Sequence, residues 1–189
     1  VIFKAEGLTE ESARARATTL LENVPDMEGL ELVSLNSCKA PWEFEPQTEG
    51  THGRVVVYDF GVKWNILRSF TRRGFKVQVV PYNFPWEETL KMSPAAVVLS
   101  NGPGDPARVP SAIDQIQGLI GKKPIYAICM GHQLLARSIG AETYKLKFGH
   151  HGINHPVKDL DTGRILITSQ NHGFAVNEKS LKGDGVRVT

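Results

Sequence analysis

The feature that most constrains this chain is an apolar segment that runs directly into a helix through one cysteine, in Ile125-Tyr126-Ala127-Ile128-Cys129-Met130-Gly131-His132-Gln133. Residues 124–128 predict a buried strand, and residues 132–139 predict a helix. Ala127 and Gly131 stand two residues before and two after Cys129. Small residues at this spacing are typical of a nucleophile elbow, a strand-to-helix turn that crowds the neighbours of the nucleophile. The spacing therefore predicts that Cys129 is a nucleophile.

The start of a helix also influences the chemistry of a thiol. Partial positive charge and free backbone N–H groups favour the thiolate, which is the reactive form. The N–H of Met130 is expected to point at a developing oxyanion. A buried structural cysteine at a strand end is the alternative interpretation, and the spacing around Cys129 disfavours it. Cys38 lies near a predicted linker without such a setting, and we interpret it as structural.

Alternating strand and helix patterns predict an α/β fold from Arg54 onward. The predicted strands are 55–58, 75–80, 95–99 and 124–128, and the predicted helices are 62–73, 111–120 and 132–139. Ser111 is a candidate cap for the second helix. Repeated strand–helix–strand units indicate a mainly parallel sheet with helices on both faces. After Gly140 the pattern becomes strand-rich, at 143–147, 165–168 and 174–176.

Residues 1–52 differ in character from the rest. Thr9 precedes a helix-friendly run that Pro25 ends, and Pro46, Thr48 and Gly50 are typical of a linker. We therefore expect the end of one domain and a linker at 1–52, and a second domain at 53–189. The chain begins without Met, and residues 186–189 predict a strand in progress, so we expect a fragment of a longer protein.

A glycine-rich loop, Ser100-Asn101-Gly102-Pro103-Gly104-Asp105-Pro106, follows the strand predicted at 95–99. Ligands of open α/β sheets bind beyond the carboxyl ends of the strands. Gly102 and Gly104 allow close approach of the backbone to a ligand, and the prolines stiffen the loop. The loop is thus a candidate second oxyanion donor, or else a rigid turn without a ligand. It lacks the spacing of a phosphate-binding loop.

Composition and histidine spacing disfavour other classes of function. The 22 basic and 20 acidic residues are interspersed, which makes a nucleic-acid partner a poor hypothesis. No apolar run approaches the roughly 20 residues that span a bilayer. The N-terminus lacks a signal-peptide pattern, so a cytoplasmic setting is expected.

The spacing of His150, His151 and His155 suggests a metal site on a helix. Gly152 lies between the last two histidines and Pro156 follows them, and both residues disfavour a helix there. No metal is therefore expected.

The segment Gln170-Asn171-His172-Gly173-Phe174 follows another predicted strand. His172 is a candidate general base for Cys129. Equally, Asn171 and the backbone around Gly173 are candidates to bind a polar substrate. The residues themselves leave this choice open.

Together these segments resemble the class I, triad-type glutamine amidotransferases, and more narrowly the carbamoyl phosphate synthetase small subunits. The matching stretches are 59–68, 100–106, 129–136, 147–152, 154–157 and 169–176. Cys-x-Gly-His-Gln is shared by many amidotransferases. Gly149-His150-His151-Gly152 and residues 170–174 are more particular to the carbamoyl phosphate branch. The resemblance implies a flavodoxin-like domain with a mainly parallel sheet, incomplete at its C-terminal end.

The resemblance also implies roles for individual residues. Cys129 is the expected nucleophile, and Gly102 and Met130 supply backbone on the oxyanion side. The expected glutamine contacts are Gly104, Gln133, Asn171, Gly173 and Phe174. The implied partner is the carbamoyl phosphate synthetase large subunit, which uses ATP and bicarbonate. No cofactor is expected in this chain.

One departure from the family pattern concerns the base. The family's base and its orienting carboxylate form a His-Pro-Glu unit, which this sequence lacks, because Val157 follows His155-Pro156. His172 matches the glutamine-contact segment rather than the base. We therefore expect little glutaminase activity from the 189 residues alone. The alternatives are a non-catalytic glutamine-binding or interaction module and an amidotransferase of another synthase.

Overall fold

The structure is a computed structural model that describes residues 7–45, 52–181 and 185–189. Its main sheet has five strands in the described residues: β1 (Trp42–Phe44), β2 (Arg54–Asp59), β3 (Lys76–Pro81), β4 (Ala96–Leu99) and β5 (Ile125–Ala127). Across the sheet they lie in the order β1-β3-β2-β4-β5. The last four strands are parallel to one another, and β1 pairs antiparallel with β3 at the edge. The predicted α/β fold with a mainly parallel sheet is confirmed.

The parallel strands follow the second-first-third-fourth order of a flavodoxin-like sheet. The described helices are α1 (Glu10–Glu22), α2 (Val33–Asn36), α3 (Trp64–Thr71), α4 (Trp86–Lys91), α5 (Pro110–Leu119) and α6 (Met130–Ser138). Two long strands, β6 (Thr143–Lys158) and β7 (Ile165–Val176), then form a separate antiparallel pair. No helix in the described residues is long and apolar enough to span a membrane.

Apolar side chains of the sheet are buried on both of its faces. On β2, Val56 and Tyr58 pack into one core with residues of α5 and α6, whereas Val55 and Val57 pack into a second core with Leu67 of α3. Alternate residues of a strand point to opposite faces, so a strand covered on both sides must be apolar throughout. This requirement explains the continuous valine run that predicted β2.

The N-terminal part contributes to the same sheet. Thr9 caps α1 as predicted, its side chain accepting a hydrogen bond from the Ser12 N–H. Val33 is fully buried in one core, and Phe44 of β1 packs into the other. The linker predicted around Pro46 lies outside the described residues. The division of the chain at residue 52 remains a prediction.

Some local predictions are wrong. Ser111 does not cap α5, because the helix begins one residue earlier at Pro110, whose fixed φ suits a first turn. Residues 186–189 form no strand. The sequence patterns missed β1 and α4, which are only 3 and 6 residues long. They also predicted only the first five residues of β6 and divided β7 into two short strands.

Candidate active site

Cys129 lies between β5 and α6 in a strained backbone conformation, with φ 52° and ψ −109°. A positive φ is rare outside glycine and persists only where surrounding structure enforces it. Here the Ile128 N–H donates to Leu99 O at 3.0 Å, and the Gly131 N–H donates to Ser100 O at 2.9 Å. These two bonds attach both sides of the turn to β4 and to the loop that follows it. The strand–Cys–helix arrangement predicted from the sequence is therefore present.

A cavity of about 1360 Å³ opens beside Cys129. Every residue expected to act in catalysis, oxyanion binding or glutamine binding lines it: Gly102, Gly104, Cys129, Met130, Gln133, Asn171, Gly173 and Phe174. The first four follow the ends of β4 and β5, and the last three belong to β7. The fold thus brings together residues from distant parts of the chain.

The backbone of neighbouring segments leaves no room for a side chain at the two glycines of the loop, Gly102 and Gly104. A Cβ on Gly102 would lie 2.2 Å from Phe60 O, and one on Gly104 would lie 2.9 Å from Leu30 O. Asn101 fixes the loop further, since its Oδ1 accepts from the Lys63 N–H and its Nδ2 donates to Gly61 O, both at 3.0 Å. The loop at the cavity is therefore rigid because it packs against the segment after β2 and against the backbone of Leu30. The sequence pattern had suggested a different reason for these glycines, namely that a ligand must approach the backbone closely.

Gln133 connects the elbow helix to β7. Its side chain is only 6% exposed, and its Nε2 donates to Phe174 O at 2.7 Å. A buried amide that bonds a strand carbonyl holds both elements in place. Gln133 therefore positions Phe174 and Gly173 at the cavity wall.

The electrostatics of Cys129 differ from the sequence expectation. Burial raises the pKa of the thiol, whereas the Met130 N–H and the charge of Lys63 lower it. The Met130 N–H at the helix start therefore acts in the direction predicted from the sequence, but burial is the largest of these effects and the net change in the pKa is upward. Cys38 is still less acidic, because burial and the adjacent Asp59 carboxylate raise its pKa to about 11.

His172 lies at the cavity, but its ring bonds elsewhere. Its Nδ1 lies 2.7 Å from Phe174 O, and its Nε2 lies 2.9 Å from Gln170 Oε1 and 3.1 Å from His150 Nδ1. The Cys129 Sγ instead lies 3.9 Å from Asn171 O, and no hydrogen bond in the described part of the chain joins it to a histidine. This geometry does not pair His172 with the thiol.

Further cavity residues were not predicted from the sequence. Lys63, Lys145, His132 and His151 also line the cavity. Lys63 follows the carboxyl end of β2, so the strand-end rule that selected the glycine loop would have found it. Burial, and then the neighbouring His172, lower the pKa of His132, although part of this residue faces solvent.

Within the described ranges, no group of three or more potential ligands is arranged to hold a metal ion.

Replacing Lys63 with methionine is expected to slow iodoacetamide alkylation of Cys129 at neutral pH by about two- to fivefold, since an exposed charge contributes modestly. Removing the cation raises the pKa of the thiol further, so less thiolate is present at a given pH. The difference should shrink at high pH and in high salt. Lys63→Arg keeps the charge and should alkylate like wild type. Identical pH profiles for the methionine and arginine variants would contradict this assignment.

Comparison with known proteins adds a second line of evidence. The model of the class-I glutamine amidotransferases matches residues 56–189. A carbamoyl phosphate synthase small chain from Solidesulfovibrio magneticus is 47% identical over 186 residues, which cover 92% of this chain and 50% of the relative. The chloroplastic small chain of Arabidopsis thaliana is 47% identical over 175 residues, which cover 87% of this chain and 40% of the relative. The chain therefore spans half the length, or less, of these curated relatives.

Among solved structures, a protein described as a GMP synthase subunit from Thermoplasma acidophilum superposes with a TM-score of 0.56 at 22% identity, covering 69% of each chain. At that identity the likeness supports the fold alone. The family match is more decisive, because it covers most of the chain and includes the elbow, the glycine loop and β7. This chain belongs to the class I glutamine amidotransferase family.

Proposed function

We propose that this chain is the nucleophile-bearing part of the glutaminase of a carbamoyl phosphate synthetase small subunit. The observation that carries the proposal is the placement of Cys129. It lies in a strained turn at the start of α6, with its thiol on a cavity that also contains the glycine loop. Such an arrangement suits acyl transfer from a carboxamide to a thiol.

In the proposed reaction, the Cys129 thiolate attacks the side-chain carboxamide carbon of glutamine. The carbonyl oxygen becomes an oxyanion, which the backbone N–H groups of Met130 and Gly102 stabilise. The C–N bond breaks, the nitrogen takes up a proton, and ammonia leaves a thioester on Cys129. Water then attacks the thioester, which releases glutamate and restores the thiol.

The other residues of the cavity hold the substrate. Gly104, Asn171, Gly173 and Phe174 are the proposed glutamine contacts, together with Gln133, whose bond to Phe174 O fixes that wall. We do not assign His172 as the base, because both of its ring nitrogens bond other groups. The base and its orienting carboxylate are proposed to come from a His-Pro-Glu unit, as the family resemblance implies.

The carbamoyl phosphate assignment rests on the relatives and on two segments. The similar proteins from S. magneticus and A. thaliana are both small chains of carbamoyl phosphate synthase. Residues 149–152 and 170–174 carry the branch-specific resemblance, and 150–152 pair directly with 170–172 across β6 and β7. We accordingly propose that the partner is the large synthetase subunit, which takes the ammonia and uses ATP and bicarbonate. A cytoplasmic location is part of the same proposal.

Glutamate release tests this function. The 189-residue chain and the same chain joined to a C-terminal segment with a His-Pro-Glu unit would be compared, each with and without His172→Ala. The joined polypeptide should release glutamate at least about 10²-fold faster, the usual contribution of general acid–base help. Asparagine should be a poor substrate for both.

Two outcomes would contradict the proposal. Robust release by the 189-residue chain that vanishes with His172→Ala would make His172 the base. Glutamine binding without release by either polypeptide would favour a non-catalytic glutamine-binding module.

A further inference from the structure

The β6–β7 pair places a histidine beside one of the proposed glutamine contacts. His151 and Asn171 are direct partners in the antiparallel register. His151 Nδ1 lies 2.7 Å from Asn171 Oδ1, and both residues line the cavity that contains Cys129. Asn171 is also the residue whose backbone oxygen lies 3.9 Å from the Cys129 Sγ. His151 therefore acts on a residue that is adjacent to the thiol.

The local sequence makes room for this histidine ring. The pairing of β6 with β7 shifts register between Lys145 and His150, and Gly149 within that irregularity has φ +70°. A Cβ on Gly149 would lie 2.5 Å from His151 Nε2 and 2.7 Å from His172 O. Any larger residue at position 149 would displace the ring or the opposite strand. The glycine thus leaves room for the His151 ring beside the bulge, where its Nδ1 lies close to Asn171 Oδ1.

The bond determines which end of the Asn171 amide is available. With Oδ1 engaged by His151, Nδ2 makes no hydrogen bond to the described parts of the chain and can donate to a ligand. We propose that His151 is a positioning residue, whose Nδ1–H fixes the Asn171 carboxamide so that its NH₂ group faces an oxygen of bound glutamine. This inference rests on the proposed function, because the ligand is that of the same cavity.

The opposite orientation of the Asn171 carboxamide would present an oxygen, and not an NH₂ group, to the cavity. If the Asn171 amide were turned over, its NH₂ group would donate to an unprotonated His151 Nδ1, and Oδ1 would face the cavity. With Oδ1 facing the cavity, Asn171 would bind a hydrogen-bond donor of the ligand, for example an ammonium group, rather than an oxygen. The two arrangements require opposite tautomers of a neutral His151 ring, which ¹⁵N nuclear magnetic resonance distinguishes. The proposal predicts the Nδ1–H tautomer in the ligand-free chain, and the Nε2–H tautomer would overturn it.

Binding is measured by glutamine protection of Cys129 against iodoacetamide. Three substitutions separate the possible roles of the ring. His151→Ala removes the donor, His151→Asn places an amide N–H near the position of Nδ1, and His151→Gln places it near that of Nε2. The bond is solvent-accessible, so its loss should weaken half-maximal protection by about three- to tenfold. The alanine and glutamine variants should show this loss, and the asparagine variant should bind within about twofold of wild type.

A cooperative urea-unfolding transition serves as the folding control, and each protection curve is normalised to the alkylation rate of the same variant without glutamine. Equal protection in all variants, or the His151→Gln variant binding as well as the His151→Asn variant, would overturn the positioning role. Wild-type alkylation that glutamine does not slow would instead contradict the proposed function. In that case the tautomer measurement still decides whether His151 donates to Asn171.

Discussion

Replacing Cys129 with alanine is expected to lower glutamine hydrolysis by roughly 10⁴-fold or more in the polypeptide that carries the His-Pro-Glu unit. No other described cysteine can substitute, because Cys38 does not line the cavity and is half-buried beside Asp59, with its pKa raised to about 11. The remaining groups of the cavity would still bind glutamine and stabilise an oxyanion, but no thioester could form. The substitution therefore abolishes the whole covalent reaction route, whereas the loss of a binding residue would remove only one contact to glutamine.

The matched control is Cys38→Ala, which removes the other thiol of the chain. The Cys38 N–H donates to Asp59 Oδ2 at 2.8 Å, and this backbone bond survives the substitution. Hydrolysis should therefore stay within about twofold of wild type once the fraction of folded protein is measured. An active Cys129→Ala variant, or an inactive Cys38→Ala variant that is folded, would show that the nucleophile is assigned wrongly.

Gly131→Ala is expected to lower the free energy of unfolding by about 3 kcal/mol, at the upper end of the usual range for overpacking. A Cβ at position 131 would lie 2.3 Å from Leu99 O and 2.5 Å from Leu99 C. These are backbone atoms of β4, a central strand, so they cannot move aside as a flexible side chain could. The better helix propensity of alanine offsets at most about 1 kcal/mol. The steric conflict is therefore the larger effect.

Urea unfolding measures this difference, with Gly185→Ala as the control. A Cβ at position 185 would meet no other atom within 4 Å, and the φ of Gly185 is not in the left-handed region. The control should unfold within about 0.5 kcal/mol of wild type. If Gly131→Ala were equally stable and its Cys129 alkylated at the wild-type rate, the elbow would not need glycine at this position.

The elbow was predictable because its determinants are local. A buried strand, a helix start and small residues on either side of Cys129 lie within a few positions of one another, and their chemistry depends on the turn itself. The strand-end rule likewise selected Gly102 and Gly104 correctly as cavity residues. Sequence spacing is sufficient where one tight turn or one sheet edge defines the geometry.

Features that depend on tertiary packing were missed. The pKa of Cys129 rises because distant elements bury it, and burial is invisible in the short motif around the cysteine. The pairing of His151 with Asn171 depends on the register of β6 and β7, which an irregular, glycine-containing strand pair does not reveal from sequence. Short β1 gave no periodic signal, although it completes one edge of the sheet.

Covalent labelling with a glutamine analogue tests the central claim most directly. The analogue would carry a chloroketone in place of the carboxamide, so that the attacking thiolate displaces chloride and remains bonded to the carbon skeleton. The site of the added mass would be located by peptide mass spectrometry on the 189-residue chain. The account predicts labelling of Cys129, little labelling of Cys38, and protection by glutamine but not by asparagine. Labelling of Cys38 at a similar rate, or labelling of Cys129 that glutamine does not slow, would contradict a glutamine site at this thiol.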